Sequence, residues 1–190
     1  MFTDGSALGN GDETATAGAG VFFGEDDARN IAQPLRADEP QTNNRAELTA
    51  SLLALGACEA TIRKGDQIVP IGTDSAYSIM MAGDVGRKAR ARGWKTSRRE
   101  LTKNSDLVEL LLQWRAAYGV RFRFYHIYSH TDRNDPLSIG NACADKLAVR
   151  GAKASARARA TLAIIEVCGP LPQPPSQEPC SLLLVQASGD

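Results

Sequence analysis

The chain has 190 residues and zero formal net charge, a length that suits one ordinary domain plus a tail. Its 43% hydrophobic and 23% charged residues are globular values, which exclude a disordered chain and a membrane protein. No apolar run is long enough to span a bilayer, no segment at the start is typical of a secretory signal, and zero net charge argues against a nucleic-acid coat protein.

Four cysteines occur in the chain, and no two of them form a CxxC pair. Their spacing predicts reduced thiols, since small disulfide-stabilised domains space their cysteines tightly. We therefore expect an intracellular protein, in the cytoplasm or, for a eukaryotic or viral source, in the nucleus. We also expect a monomer that does not associate with a membrane. The cysteines are Cys58, Cys143, Cys168 and Cys180.

The first half of the chain predicts four strands and one helix. The segment MFT gives a short first strand that ends at Asp4, and GSALGNGDETATAGAG is predicted to be a glycine-rich loop. GVFFG and RNIAQPLR predict the second and third strands, with an irregularity or an edge position at Pro34. Apolar residues at helical spacing predict a helix from Thr42 to about Ile62, and QIVPIGTD predicts a strand that ends at Asp74.

The second half of the chain predicts helices around one further strand. SAYSIMMAG is a short helix that ends at Gly83, a basic helix follows to Arg92, and NSDLVELLLQWRAAYG is a longer helix capped by Asn104 or Ser105. VRFRFYHIYSH alternates apolar and polar residues as a half-buried strand does. The apolar stripe of the longer helix is predicted to be Leu107, Leu110, Leu111 and Trp114.

The end of the chain predicts a last helix and an extension. The loop TDRNDPLSIG leads into a helix from about Asn141 to Val149 or beyond. Strands interspersed with helices indicate an α/β sheet domain over residues 1–151. Residues 152–190 are predicted to form a C-terminal extension, in which KASARARATLAIIEVC can prolong the last helix and the proline-rich GPLPQPPSQEPC is typical of a flexible tail.

A basic segment lies in the middle of the chain, between Arg87 and Lys103, where Glu100 is the single acid. A local basic patch on a neutral body is expected where a protein grips a polyanion at one place. A solvated helix face explains such a run equally well, so the segment alone does not decide. The basic residues are Arg87, Lys88, Arg90, Arg92, Lys95, Arg98, Arg99 and Lys103.

Four carboxylates fall where α/β proteins assemble sites: Asp4, Glu47, Asp74 and Asp145. Each alone has an ordinary explanation as a turn residue, a helix cap or a solvent-facing acid. Brought together, two like charges about 4 Å apart repel by roughly 4 kcal/mol at an effective dielectric of about 20, so a cluster needs cations. Oxygen-only ligation suits Mg²⁺ or Mn²⁺ better than zinc, and two such ions can activate water against a phosphodiester.

Five motifs follow one another along the chain: FTDGSALGN, TNNRAEL, TDSAYS, RGWKT followed by KNSDL, and SH followed by GNACADKLA. Together they resemble the motifs of type 1 ribonuclease H, over about residues 1 to 151. The resemblance implies a ribonuclease H-like α/β fold with a mixed five-stranded sheet flanked by helices. It also implies an endonuclease that hydrolyses the RNA strand of RNA–DNA hybrids by two-metal-ion catalysis, leaving 5′-phosphate and 3′-hydroxyl ends.

The resemblance also assigns individual residues. The ligands of two Mg²⁺ ions, for which Mn²⁺ can substitute, would be Asp4, Glu47, Asp74 and Asp145. His130 would be the mobile catalytic histidine that moves protons or helps to release product. Contacts to the 2′-hydroxyl, the group that distinguishes RNA from DNA, would come from Gly5, Ser6, Asn43, Asn44 and Glu47. Thr42, Arg45 and Asn104 would lie near backbone phosphates, and Trp94 and Lys95 would stand in the basic segment.

Some positions depart from the family's pattern. The early loop carries GDETATAGAG in place of a compact proline–glycine turn, and DVGRKARA has no further tryptophan, so charge must do more of the binding. Ala142 stands where many members have a glutamate. The loop from His130 to Asp145 is long and holds two more acids, Asp132 and Asp135, but the ADKLA motif favours Asp145 as the fourth ligand.

Three alternatives remain open at this point. A hybrid-binding module that kept the fold without the chemistry is expected to have lost a carboxylate, and all four are present. A nuclease or integrase on the same fold would act on DNA, but RGWKT and TNNRAEL favour the hybrid-specific type. The nuclease part of a polymerase is the third alternative, and 190 residues leave no room for the polymerase itself.

Overall fold

The computed structural model describes residues 1–128 and 135–168, in which five strands form one mixed sheet flanked by six helices. The strands are β1 (Phe2–Leu8), β2 (Thr16–Phe22), β3 (Ile31–Pro34), β4 (Val69–Thr73) and β5 (Phe122–His126). The helices are α1 (Asn43–Ala57), α2 (Glu59–Lys64), α3 (Ala76–Met81), α4 (Asp84–Ala91), α5 (Ser105–Tyr118) and α6 (Pro136–Cys168). The predicted fold class is confirmed.

The sheet has the strand order β3-β2-β1-β4-β5, with β1 at its centre. The hairpin neighbours β1–β2 and β2–β3 pair antiparallel, whereas β1–β4 and β4–β5 pair parallel through helical crossovers. The third strand lies at one edge, as Pro34 predicted, because an edge position tolerates the donor that proline lacks.

The first strand is longer than the sequence predicted. It does not end at Asp4 but runs on to Leu8, and β2 begins at Thr16, inside the predicted glycine-rich loop. All seven residues of β1 pair with β2, from Phe2↔Phe22 to Leu8↔Thr16. The prediction of a long loop was wrong because the glycines here serve close packing of helices on the strands.

The second strand places small residues on both faces of the sheet. Ala17 and Ala19 are fully buried in the cluster that α1 covers. Gly18 and Gly20 point to the opposite face, as strand alternation requires, and there a Cβ on Gly18 would lie 2.1 Å from the backbone nitrogen of Ala152 in α6. The sheet is therefore sandwiched, with α1 on one face and α6 directly against the backbone of the other.

The main core lies between the sheet and helices α1, α2 and α5. The predicted helix from Thr42 to Ile62 is in fact two helices, because the chain leaves helical geometry at Cys58, with φ −104° and ψ 8°. Ile62 of α2 is nonetheless fully buried. The largest fully buried apolar side chains are Phe122, Leu48, Leu55, Ile62, Ile71, Leu111, Val21 and Val108.

The predicted apolar stripe of α5 needs one correction. Leu110 is 46% exposed, so its assignment to the buried face was wrong, whereas Leu111 is buried and Trp114 packs against the main core while partly buried. Val108 and Leu112 complete the buried face, because it is displaced by one residue from the predicted stripe.

The last helix begins five residues earlier than predicted, at Pro136. Asp135 caps it by accepting hydrogen bonds from the N–H groups of Leu137 (2.9 Å) and Ser138 (3.1 Å), and proline suits the first helical position. The helix continues to Cys168, so the predicted domain boundary near Gly151 falls inside it. In the described part of the chain, no helix combines the length and apolar character needed to cross a membrane.

Candidate active site

Strand register brings Asp4 and Asp74 together. The parallel pairing of β1 with β4 consists of Phe2↔Gly72 and Thr3↔Thr73. β4 ends at Thr73, so the next residue along each of the two paired strands carries a carboxylate. Asp4 itself is in the middle of β1, which continues to Leu8. The pairing with β4 ends at the preceding residue, Thr3, so Asp4 lies beside the carboxyl end of β4.

Close packing of α1 on β1 brings in the third carboxylate. A Cβ on Gly5 would lie 2.2 Å from the backbone nitrogen of Glu47, so only glycine allows the helix to approach this strand so closely. The Glu47 carboxylate accepts hydrogen bonds from Asn43 Nδ2 (2.9 Å) and from the hydroxyl of Ser75. Glu47 is therefore positioned by its own helix and by the residue that follows Asp74.

The last helix contributes two residues, Asn141 and Asp145, four positions apart and hence on one helix face. Asn141 is 6% exposed, and its Nδ2 donates to Asp74 Oδ2 at 3.2 Å. Its Oδ1 is buried and has no hydrogen-bond partner in the described part of the chain. Asp145 lies at the exposed rim. Asn141 thus fixes the orientation of the Asp74 carboxylate from the far side of the site.

These side chains line one cavity of about 470 Å³. All four predicted metal ligands are on its wall, and the described residues that line it include no lysine, arginine or histidine. The lining residues are Asp4, Gly5, Ser6, Asn43, Glu47, Asp74, Tyr128, Ser138, Asn141, Ala142 and Asp145. The cavity is accordingly polar and acidic.

Burial, with the charges of neighbouring acids, makes ionisation of two of these acids difficult. Burial raises the pKa of Asp4 to about 8, and the charges of Asp74, Asp145 and Glu47 add to this, against the N–H of Gly5, which stabilises the carboxylate at 2.7 Å. Burial and then the charge of Asp74 also raise the pKa of Glu47, although the hydrogen bonds from Ser75 and Asn43 oppose the shift. A positive charge in the cavity would lower the pKa of both Asp4 and Glu47.

The donor set fits a hard divalent cation, because every candidate ligand atom is an oxygen. Among the residues that the structure describes, no three His, Cys, Asp or Glu side chains are drawn together at the spacing that holds a metal. The four carboxylates share the cavity wall without converging on one point. Their chemistry and common cavity favour Mg²⁺ or Mn²⁺ as the occupant.

Arg45, which the resemblance assigned to backbone phosphates, is engaged inside the protein. It is 8% exposed, and its guanidinium donates to Glu39 (2.6 Å) and to both oxygens of Asp106 (2.7 and 3.1 Å). Asn104 Oδ1 accepts a further, long bond of 3.5 Å from it. Thr42 caps α1, accepting from the N–H of Arg45 at 3.4 Å. The arginine therefore joins α1 to α5, and Asn104 is oriented by it.

The remaining predicted binding residues lie at different depths. Asn44 and Lys95 are exposed and accessible to a ligand, while Ser6 and Asn43 are half-buried at the cavity. Trp94, expected in a polar setting, packs against the main core while partly buried and has a left-handed backbone with φ 61°. This packing anchors the basic segment to the body of the protein. The next residue, Lys95, forms a β-bridge with Leu101.

One predicted catalytic residue, His130, lies outside the described residues. Conversely, the structure adds residues that the sequence did not assign: Ser75, whose hydroxyl donates to Glu47, and the cavity-lining residues Tyr128, Ser138 and Asn141. The spacing of Asn141 and Asp145 at i and i+4 is a signal from which Asn141 could have been found. Nothing in the local sequence points to Tyr128.

The sequence model of the ribonuclease H family, described as RNase H, matches residues 1–153. A protein named Ribonuclease H from Schizosaccharomyces pombe is 43% identical over 152 residues, which are 80% of this chain and 52% of that protein, so the chain spans about half of its length. A Ribonuclease H from Albidiferax ferrireducens is 32% identical over 159 residues, which are 84% of this chain and 97% of that protein.

The fold has a counterpart among solved structures. The solution structure of the PFV RNase H domain has a TM-score of 0.57 and 24% sequence identity, covering 80% of this chain and 93% of that domain. At this identity the likeness shows the fold. The family match over residues 1–153 is the stronger finding. The chain belongs to the ribonuclease H family.

Proposed function

We propose that the cavity around Asp4 hydrolyses the RNA strand of RNA–DNA hybrids and leaves 5′-phosphate and 3′-hydroxyl ends. The observation that carries this proposal is the set of four carboxylates, from β1, α1, the end of β4 and α6, on the wall of one cavity whose described lining has no basic side chain. Cations or protons stabilise such an arrangement, and the family supplies the reaction.

Asp4, Glu47, Asp74 and Asp145 would hold two Mg²⁺ ions, with Mn²⁺ as a substitute. Bound there, the ions would supply an activated water and stabilise the charge on the leaving oxygen. The protein's own contribution is orientation: Asn141 holds the carboxylate of Asp74, and Asn43 and Ser75 hold that of Glu47. Side chains fixed in this way need little reorganisation when a substrate enters.

Selection of RNA would come from groups that can recognise a 2′-hydroxyl. Asn43 and Ser6 line the cavity and Asn44 is exposed beside it, and their amide and hydroxyl groups can both donate and accept. Gly5 would offer only its backbone. Phosphate contacts without sequence preference would come from Lys95 and its basic neighbours, with Trp94 as the anchor.

Four further residues complete the proposal. Thr42 and Asn104 would lie along the backbone phosphates, and we infer that Arg45 supports them through its bond to Asn104. His130 would move protons or assist product release, which is proposed from the SH motif alone. Neutral and mobile histidines suit such a role, because their pKa lies near neutral pH.

We also propose that residues 1–151 form the catalytic domain and residues 152–190 an extension, helical at first and proline-rich after that. Ala152 and Ser155 are buried, so the start of the extension is part of the packed body. We propose an intracellular monomer; the free thiols Cys58 and Cys143 agree with the intracellular part of this proposal. Size-exclusion chromatography with light scattering tests the oligomeric state.

The decisive experiment is cleavage of an end-labelled RNA–DNA hybrid in Mg²⁺, beside RNA–RNA and DNA–DNA duplexes of the same sequence and an EDTA control. We expect metal-dependent cutting of the hybrid's RNA strand alone. A folded protein that binds the hybrid and never cuts it would instead favour a binding module. Cutting of the DNA duplex would favour a DNA nuclease.

A further inference from the structure

Four residues on the cavity wall are neither proposed metal ligands nor proposed contacts to a 2′-hydroxyl: Tyr128, Ser138, Asn141 and Ala142. Three of them are accounted for within the protein. Asn141 donates to Asp74 at 3.2 Å, the hydroxyl of Ser138 donates to Asp135 Oδ2 at 2.9 Å, and Ala142 offers only a methyl group. Tyr128 differs, because its side chain is 75% exposed although it lines the cavity.

Tyr128 is held in place at the rim of the cavity. It follows β5 by two residues, and the preceding Ile127 is 6% exposed and donates its N–H to the carbonyl of Thr73 at 2.9 Å. That bond ties the segment to the last residue of β4, directly before Asp74. The Tyr128 ring also meets the His126 ring edge-on, with centroids 5.2 Å apart and an angle of 84°. The backbone before Tyr128 is thus fixed by the sheet, and its ring contacts the ring of His126 at the surface.

The chemistry of the rim decides what such a ring can bind. Acids line the cavity, so a phosphodiester strand that enters it is repelled wherever cations do not lie between. A tyrosine at the rim adds no negative charge, its O–H can donate to a phosphate oxygen, and its ring offers a flat apolar surface to a sugar. A lysine there would compete with divalent cations for the same carboxylates.

We propose that Tyr128 is a substrate-binding residue, which contacts the RNA strand beside the cleaved phosphate. Its ring packs against a ribose, and its phenol donates a hydrogen bond to a neighbouring phosphate oxygen. The proposal rests on the proposed function, because it assumes that the RNA strand lies in this cavity. It assigns Tyr128 to binding and not to chemistry, since the phenol holds the strand outside the ring of carboxylates.

The test compares Tyr128→Ala and Tyr128→Phe with Tyr125→Ala. Tyr125 is the matched control, because it is also an exposed tyrosine of this edge, 47% accessible, and does not line the cavity. We expect Tyr128→Ala to raise the Kd for a labelled hybrid, measured by fluorescence anisotropy with Ca²⁺ in place of Mg²⁺, about tenfold, in the range of contacts between aromatic rings and nucleotides. Tyr128→Phe should raise it about threefold, and Tyr125→Ala should leave it unchanged.

Two further readouts separate this role from others. In Mg²⁺, Tyr128→Ala should raise KM for the hybrid and leave kcat near the value of the parent protein. The slope of log Kd against log salt should stay the same, because a neutral contact releases no counterion, whereas Lys95→Ala should reduce it by about one. Thermal melting of each variant checks the fold, which an exposed ring should not affect.

Equal Kd values for Tyr128→Ala and Tyr125→Ala would overturn the proposal, and so would a fall in kcat without a rise in KM. Failure of the proposed function shows up elsewhere, in the parent protein, as absence of hybrid cleavage in Mg²⁺. A parent protein that cuts the hybrid and a Tyr128→Ala variant that binds it equally well would leave the function intact and remove Tyr128 from the binding surface.

Discussion

The first turns of α1 contribute to two groups of acids, and a carboxyl pKa is lowered in one group and raised in the other. The Arg45 cluster consists of Glu39, Arg45 and Asp106, and the guanidinium there lowers the pKa of Asp106 by hydrogen bonding. The cavity cluster consists of Asp4, Glu47, Asp74 and Asp145, where the pKa of Asp4 is raised to about 8. Arg45 and Glu47 are two residues apart in sequence.

The difference between the clusters separates structure from function. In the Arg45 cluster the cation is a side chain of the protein, so the charges are satisfied as soon as the chain folds. In the cavity cluster the described lining supplies no basic side chain, and burial on folding raises the pKa of Asp4 and of Glu47. Acids that are buried without a positively charged partner lower the stability of the fold. They are found where a site binds a ligand of opposite charge.

The largest expected effect is on the chemistry of the cavity cluster. Asp74→Asn should lower kcat/KM for the hybrid by roughly 10³-fold or more, because it removes a ligand charge while retaining the shape. Hybrid binding should remain largely intact. Steady-state cleavage and anisotropy measure the two quantities, and Asp66→Asn, an exposed aspartate outside the cavity, is the control. Full activity of Asp74→Asn would remove this residue from the site.

The next effect is on the geometry that joins the two clusters. Gly5→Ala should destabilise the protein by about 3 kcal/mol and suppress cleavage, because the new methyl group would push the backbone of α1 and Glu47 away from β1. Gly56→Ala in the same helix is the control, since a Cβ there meets nothing within 4 Å, and it should stabilise by about 0.5 kcal/mol. Urea unfolding measures both. Equal stability of the two variants would contradict the close approach.

The Arg45 cluster should give a smaller, purely structural loss. Arg45→Met should lower the free energy of unfolding by about 2 kcal/mol, less than for a fully buried pair, because Asp106 is 60% exposed and can be hydrated. Arg63→Met, which removes an exposed pair with Glu59, should leave the unfolding midpoint unchanged. If Arg45 instead contacted phosphate directly, this variant would reduce the salt slope of hybrid binding while stability stayed constant.

The smallest effect is a gain in the free energy of unfolding of Asp4→Asn over the parent protein in EDTA, which depends on pH. The pKa of Asp4 is raised to about 8 in the folded protein, from 3.8 when unfolded, so the folded state binds more protons and loses stability as pH rises from about 4 to 8. Asp4→Asn removes that loss and should stabilise by about 1 kcal/mol near pH 8, with no gain near pH 4.

Melting temperatures across this pH window, with and without Mg²⁺, test the prediction. Mg²⁺ should raise the melting temperature of the parent protein more than that of Asp4→Asn, because the ion stabilises the ionised carboxylate. A variant that is less stable than its parent at pH 8 in EDTA would show that the burial of Asp4 is not costly. The sign of the difference in melting temperature between Asp4→Asn and its parent at pH 8 therefore reports whether the charge of Asp4 lacks a compensating partner.

Much of the fold could be predicted from local patterns. The β5 strand and the helix after Asn104 were predicted from apolar spacing, the basic helix before Arg92 from the alternation of arginine and alanine, and each is present. Strand β1 was predicted too short, because glycine normally ends strands, and the packing of α1 and α6 that favours glycine here involves residues more than 40 positions away. Leu110 was misplaced because a one-residue shift of the buried face leaves the spacing unchanged.

The candidate site divides in the same way. The sequence by itself determined the family and the four acids, since five motifs in the family's order carry the residues on which its chemistry depends. Only the tertiary structure decided which groups meet. Arg45 binds Asp106, 61 positions away, Asn141 donates to Asp74, and Tyr128 lies at the rim of the cavity. Periodicity encodes which face of an element is buried, whereas the partner of a charge depends on strand register and helix packing, which bring distant residues within hydrogen-bond distance.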